Sequence, residues 1–293
     1  MLRRLLLVVL LLVVGWTVRT LHVAGVFRRI EPHFAGRCDA VRGIPGIEDL
    51  VIHPLTRAVY LSSCDRAAMR RGEPPNGAIH MYWLDDRPGT PDGTVNVTPD
   101  AEPDFCPHGL SLWVGRAGGD RLFVIDHSGG EHAIQIYGAG ARRIAHQRTL
   151  RDPALRTPND LVAVGPAEVY VTNDHRHATG RWRTLEDWLR LPLSDVVHWK
   201  NGRFTVALDG LRVPNGIAAS DDGRTLYLGE AMARTLRIYD RHPATGVLTR
   251  RTSLALGSML DNIDRDRDGV LWIGAHPKPL QLLRHVNGRA PHA

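Results

Sequence analysis

Apolar residues in this chain come mostly in short runs of roughly four to eight, bounded by Gly, Pro, Asp and Asn, a pattern that predicts β-strands joined by tight turns. Five of the runs carry the same head: a turn residue, then one or two polar side chains, then aliphatics. They read PGIEDLVI around Glu48, CPHGLSLW around His108, TPNDLVAV around Asn159, VPNGIAAS around Asn215 and SMLDNIDR around Asp261, with successive heads 60, 51, 56 and 46 residues apart. Behind each comes a second strand-like run (AVYLSS, RLFVID, EVYVTN, TLYLGE, VLWIGA) and then a third (AIHMYWL, AIQIYG, DVVHWK, TLRIYD, LQLLRH). Units of about 50 residues built from several short strands predict an all-β fold, a β-propeller.

The heads carry an energetic problem. Glu48 and Asp49 stand side by side at the start of an apolar run, where desolvating two carboxylates is costly without a partner. In a propeller the first strand of each unit is innermost, so Glu48, His108, Asn159, Asn215 and the Asp261-Asn262 pair are delivered to one small volume around the central channel. Two carboxylates and three neutral amides are hard oxygen donors suited to Ca²⁺, whereas zinc asks for His and Cys in tetrahedral spacing. The bland alternative is that Asn and Asp merely start strands by capping turns.

Composition changes this picture little. The formal charge is +6 and the pI about 9.6, but Arg is spread along the chain among acidic residues and forms no long basic run, so nucleic acid is not an expected partner. The N-terminus departs from the even texture: Arg3 and Arg4 precede an apolar stretch from Leu5 to Val14, the length of a signal-peptide core and short for a membrane span. Residues 1–26 are therefore expected to be a signal peptide or N-terminal signal anchor, the HVAG that follows being an imperfect cleavage site, and 27–293 the propeller. Export, whether secreted, periplasmic or membrane-anchored, places Cys38, Cys64 and Cys106 where disulfides persist. Adjacent units could bring Cys64 and Cys106 together and leave Cys38 free; a bond involving Cys38, or three free thiols, are the other outcomes.

GIEDL, PHGLSL, PNDLVAVGP, VTNDH, PNGIAAS, LDNIDRD and GAHPKPLQLL, in that order between Cys38 and Asn287, resemble the paraoxonases, calcium-dependent lactonases and arylesterases with a six-bladed propeller. The resemblance implies two calcium ions, one catalytic and one structural. It makes Glu48, Asn159, Asn215, Asp261 and Asn262 ligands of the first, and Asp49, Asp160 and the carbonyl of Leu110 ligands of the second. It matches His108 and His127 to a histidine pair that activates water, and His175 and His276 to positions lining the site. It also implies a partner for Cys38 near the C-terminus, but no cysteine follows Cys106. Only five units are recognisable, and the chain ends at RHVNGRAPHA directly after the fifth unit's third run. The expectation is a C-terminally incomplete six-bladed ring with exposed edges on its first and fifth units; a compact five-bladed ring is the alternative.

The function expected is a calcium-dependent hydrolase of lactones or aryl esters, calcium polarising the carbonyl and His108 assisting attack by water. A non-catalytic or degenerate propeller acting as a binding module is the alternative, and a gluconolactonase-like enzyme is a neighbouring one. Three further stretches are weaker signals. DRDRDG (264–269) imitates an EF-hand loop but puts Ala275 where a Glu is needed, so it reads as a turn. NVT (96–98) is a glycosylation sequon. TLEDWLRL (184–191) reads as a short helix capped by Thr184, with Trp182, Trp188 and Leu189 available to membrane, substrate or the propeller's own surface.

Overall fold

The apolar run behind each polar head forms the first strand of an antiparallel sheet. A computed structural model describes residues 1–31, 33–85, 93–115, 119–140 and 142–289, and among these residues lie four four-stranded sheets and one two-stranded sheet. The first sheet holds β1 (Ile47–Ile52), β2 (Ala58–Ser63), β3 (Ala78–Trp83) and β4 (Val95–Asn96). The second holds β5 (Pro107–Trp113), β6 (Arg121–Asp126), β7 (Ala133–Ala139) and β8 (Ile144–Leu150). β9 (Pro158–Gly165), β10 (Glu168–Asn173), β11 (Ser194–Lys200) and β12 (Arg203–Leu211) form the third, and β13 (Pro214–Ala219), β14 (Thr225–Glu230), β15 (Thr235–Arg241) and β16 (Leu248–Ala255) the fourth. The fifth unit pairs β17 (Met259–Arg265) with β18 (Leu271–His276).

Apolar side chains pack between successive sheets, which stacks them like blades. Tyr60, Ile79 and Met81 of the first meet Leu122 and Val124 of the second. Phe123, Ile125 and Ile136 meet Val169, Val171 and Trp199 of the third; Tyr170 and Val196 meet Leu226 and Leu228 of the fourth; Ala218 and Leu236 meet Leu260 and Ile263 of the fifth unit. The first strands neighbour one another in turn, β1 by β5, β5 by β9, β9 by β13 and β13 by β17. The chain thus has the all-β, propeller-like arrangement.

Three expectations are corrected. LQLLRH is not a strand: α4 (Pro279–Val286) begins with Pro279 in its first turn, where a missing N–H costs nothing. The N-terminal apolar segment is a single helix, α1 (Leu2–Val23), of 22 residues with no buried side chain. At 1.5 Å per residue it is long enough, and apolar enough, to cross a membrane. Its base is tied to the propeller where Arg234 donates to the Val23 carbonyl and Arg28 Nη2 donates to the Gly257 carbonyl at 2.6 Å. The predicted helix at 184–191 is α3 (Gly180–Leu189), which starts four residues earlier, beyond Thr179, and ends on left-handed Arg190. Thr184 is an interior residue whose hydroxyl bonds back to Gly180, and α3 exposes Trp182, Trp188 and Leu189. DRDRDG ends β17 with Asp264 and Arg265 and then turns, closed by Asp266 Oδ1 accepting from the N–H groups of Asp268 and Val270.

Cys64 and Cys106 are joined, Cα atoms 5.1 Å apart, and Cys38 is the exposed free thiol. The bond links the end of β2 to the residue before β5, closing a span of 42 residues, which by chain entropy stabilises the fold by about 3–4 kcal/mol. Cys64→Ser with Cys106→Ser is expected to lower the free energy of unfolding by about that amount in denaturant titrations. Two free thiols at these positions on non-reducing peptide mapping would rule the bond out.

Candidate metal centre and active site

Each polar head falls in a β-bulge. Pairing between the first and second strands of a unit slips between Ile47 and Leu50, between Pro107 and Leu110, opposite Val171 and Asn173, between Pro214 and Ile217, and between Leu260 and Ile263. Residues 48–49, 108–109, 159–160, 215–216 and 261–262 are the ones released from the ladder, and a bulge re-aims the side chains it releases. Glycine at two of these positions lets neighbouring first strands touch. A Cβ on Gly109 would lie 2.7 Å from the Asn159 carbonyl oxygen, and one on Gly216 would lie 2.4 Å from that of Asp261.

Side-chain contacts link four of the five heads. Asn215 Nδ2 donates to Asp261 Oδ1 at 2.8 Å, Asn262 Nδ2 donates to the Glu48 carbonyl at 3.1 Å across 214 residues of chain, and Glu48 Oε1 lies 3.5 Å from His108 Nε2. Glu48 Oε2 and the Oδ1 atoms of Asn159, Asn215 and Asn262 are buried and accept no hydrogen bond. Orphaned buried acceptors cost about 1–3 kcal/mol each, and oxygens of this kind suit a hard cation. Asp261 differs, since both its oxygens accept, from Asn215 and from His276 Nε2 at 2.7 Å. Among the described residues no three His, Cys, Asp or Glu side chains form a metal-holding group; the donors gathered here are largely amides.

A pair of carboxylates, Asp49 and Asp160, adjoins these heads. Asp49 accepts from the N–H groups of Leu50 at 2.8 Å and Leu110 at 2.6 Å, and Asp160 from those of Leu161 at 2.7 Å and Ile217 at 2.8 Å. Leu110 meets Asp49 through its N–H; the calcium ligand that the resemblance implies is its carbonyl. Burial first, then mutual repulsion, raises the acids: Glu48 is pushed up to about 8 by burial, Asp49 and Asp261, Asp49 to about 7 by burial against those N–H bonds, and Asp160 well above the carboxylate range by burial and Asp49.

His108 and His127 pack edge to face with ring centroids 4.9 Å apart. Burial, then His127 and Arg66, holds His108 well below its ordinary value; burial, His132 and Arg66 bring His127 down to about 4. His132 continues the row, its Nδ1 2.8 Å from that of His127. Arg66, from α2 (Arg66–Arg70), donates to His108 Nδ1.

A model of the Arylesterase family matches residues 68–293. The chain belongs to that family. It is 28% identical over 271 residues to serum paraoxonase/arylesterase 1 of Rattus norvegicus, covering 90% of this chain and 76% of that one. It is 27% identical over 270 residues to serum paraoxonase/arylesterase 2 of Homo sapiens, with the same coverage. Among solved structures, regucalcin from Agrobacterium tumefaciens, described as a calcium-binding protein, is similar with a TM-score of 0.52 at 15% identity, covering 83% of this chain and 71% of that one. A gluconolactonase from Xanthomonas campestris is similar with a TM-score of 0.52 at 20% identity, covering 78% and 70%. These likenesses show the propeller fold.

Three groups in this chain are not singled out by its sequence. Arg66 and His132 are ordinary surface residues until the fold brings them to His108 and His127. Glu186 is the third, a charged helix residue that is fully buried and accepts from Arg176 N and Ser194 Oγ, pinning α3 to the sheet. His175, expected to line the site, is clamped between Asp174, 3.0 Å from Nδ1, and Asp187, 2.8 Å from Nε2. Burial lowers its pKa, but bonds to the two carboxylates raise it further, to about 9. A raised histidine contributes stability that is complete below its unfolded value of about 6.5 and is lost as pH rises through the folded value. The melting temperature is therefore expected to fall between about pH 6.5 and pH 9.5, and less so in His175→Gln; equal slopes for the two proteins would contradict the clamp.

Proposed function

We propose that this chain is a calcium-dependent hydrolase of lactones and aryl esters. The observation that carries the reading is the set of four buried, unpartnered oxygens on Glu48, Asn159, Asn215 and Asn262, which come from the bulged heads of four of the first strands. With Asp261 they would hold a catalytic calcium, and Asp49, Asp160 and Leu110 would hold a second, structural one. When bound, calcium supplies a Lewis acid that polarises a substrate carbonyl and offsets the charge developing on its oxygen. His108, beside Glu48, assists the attack of water, and His127 and His132 lead from it towards the surface. Asn215 and His276 hold the Asp261 carboxylate in place through its two oxygens.

The helix α1 supports export as either a signal or an anchor. In the anchored case, the contacts of Arg28 and Arg234 would hold the propeller close to the bilayer. Assay of the purified protein with calcium against a panel of aliphatic lactones and phenyl esters tests the reading. Turnover of either class supports it, whereas binding without turnover across the panel would favour a binding module.

A further inference from the structure

The Cys64–Cys106 disulfide lies beside a contact that governs His108. Arg66 stands two residues beyond one bonded cysteine and His108 two residues beyond the other, so the bond holds them side by side. Asp65 adds a second fixation: its Oδ1 accepts from Ala68 N at 2.9 Å and caps α2, setting where Arg66 leaves the helix. The Cys106 carbonyl accepts from His127 N at 3.1 Å, so the same bond also anchors the second histidine. Arg66 Nη2 reaches His108 Nδ1.

That contact has one chemical interpretation. A guanidinium offers N–H donors only and has no lone pair to accept with. His108 Nδ1 must therefore present a lone pair to Arg66. The proton of the neutral ring then resides on Nε2, the nitrogen that faces Glu48 Oε1 at 3.5 Å.

We infer that Arg66, held in place by the Cys64–Cys106 disulfide, is a positioning residue that fixes His108 as its Nε2–H tautomer. His108 accordingly enters turnover as a hydrogen-bond donor to the reacting oxygen, and the proton of the attacking water leaves to solvent. The role in turnover rests on the hydrolase reading; the tautomer does not. The arrangement is built from the arginine-rich segment after Ser63 and the Cys64–Cys106 pair.

Nitrogen-15 spectra of the histidine-labelled, calcium-loaded protein test it, with His108→Asn identifying the His108 signals. The expected result is an unprotonated ring-nitrogen shift for Nδ1 and a protonated one for Nε2. Arg66→Ala, and separately Cys64→Ser with Cys106→Ser, should move both signals towards averaged values, while Arg66→Lys, which keeps a cationic donor, should preserve the split in part. A wild-type His108 protonated on Nδ1, or an Arg66→Ala spectrum with the tautomer unchanged, overturns the inference. In turnover, Arg66→Ala should lower kcat by about tenfold with KM little changed. An unchanged kcat alongside a shifted tautomer overturns the catalytic role. Absence of turnover in the wild type overturns the hydrolase reading and that role with it, while the spectra still decide the tautomer.

Discussion

Stripping calcium from the protein is expected to abolish ester and lactone hydrolysis and to lower the melting temperature, by an amount that grows as pH rises. The sign follows from the crowded carboxylates. Without an ion, burial and the neighbouring Asp49 and Asp261 hold Glu48 at about 8, and burial holds Asp49 at about 7. A carboxyl whose folded pKa exceeds its unfolded value contributes stability that is fully present below the unfolded value and lost as pH rises through the folded one. The ion-free fold is therefore expected to weaken through about pH 7 to 8, where these groups are forced to ionise together. Calcium must displace their protons, so its affinity rises over the same window and binding acidifies a weakly buffered solution. At a free concentration of 100 times Kd the ion stabilises the fold by about 2.7 kcal/mol. Glu48→Gln, which keeps the shape and removes the charge, is expected to reduce kcat/KM by about 10²- to 10³-fold and to flatten the pH dependence of binding. Hydrolysis that survives exhaustive chelation would sink the metal-centred mechanism. An ion-free melting temperature that holds steady from pH 6 to about pH 9 would remove the argument from crowded carboxylates.

Much of this centre is legible along the chain because it is built from a repeat. A polar pair followed by aliphatics at Glu48, His108, Asn159, Asn215 and Asp261 marks the start of a first strand in all five units, and a repeated fold brings repeated positions together. What the pattern does not carry is the reason each pair stands at a strand head. The bulges that release these residues from the ladder involve pairing with a second strand, a property of two segments at once. Short apolar runs are also ambiguous between periods of 2 and 3.6. LQLLRH places Leu280, Leu282 and Leu283 so that either period fits, and Pro279 decides for the helix. The N-terminal helix outruns its densest apolar stretch because Trp16, Val18, Leu21 and Val23 continue it with only Arg19 intervening as a charge. Arg66 is hidden for a different reason. Its partner lies 42 residues away, and only the disulfide that parallels the contact could have suggested the pairing, two cysteines each followed two residues later by a group able to reach the other.

Gly216→Ala and Gly109→Ala are expected to damage the fold and the calcium site together. Both glycines occupy bulges where one first strand presses on the next. A Cβ on Gly216 would stand 2.4 Å from the Asp261 carbonyl oxygen and 2.6 Å from Ile263 N; one on Gly109 would stand 2.7 Å from the Asn159 carbonyl oxygen and 2.8 Å from the Asp160 Cα. These neighbours are backbone, so no rotamer change relieves the clash, and one strand must retreat from the other. The strand that retreats carries Asp261 and Asn262 in one case, Asn159 and Asp160 in the other, which moves donor oxygens away from the shared volume. Overpacking of this kind costs about 1–3 kcal/mol, or roughly 2–4 °C of melting temperature for each kcal/mol in a chain of this size. Calcium affinity is expected to fall at least about tenfold, since a shift of even a few tenths of an ångström loosens a site whose ligand distances span about 2.3–2.6 Å. Gly119, where an added Cβ meets nothing within 4 Å, serves as the control, its alanine variant expected to change stability by less than about 0.5 kcal/mol. Melting curves and calcium titrations of the three variants decide the matter: a Gly216→Ala protein that matches the Gly119→Ala protein in both would mean that the strands at the channel are not packed as closely as these distances require.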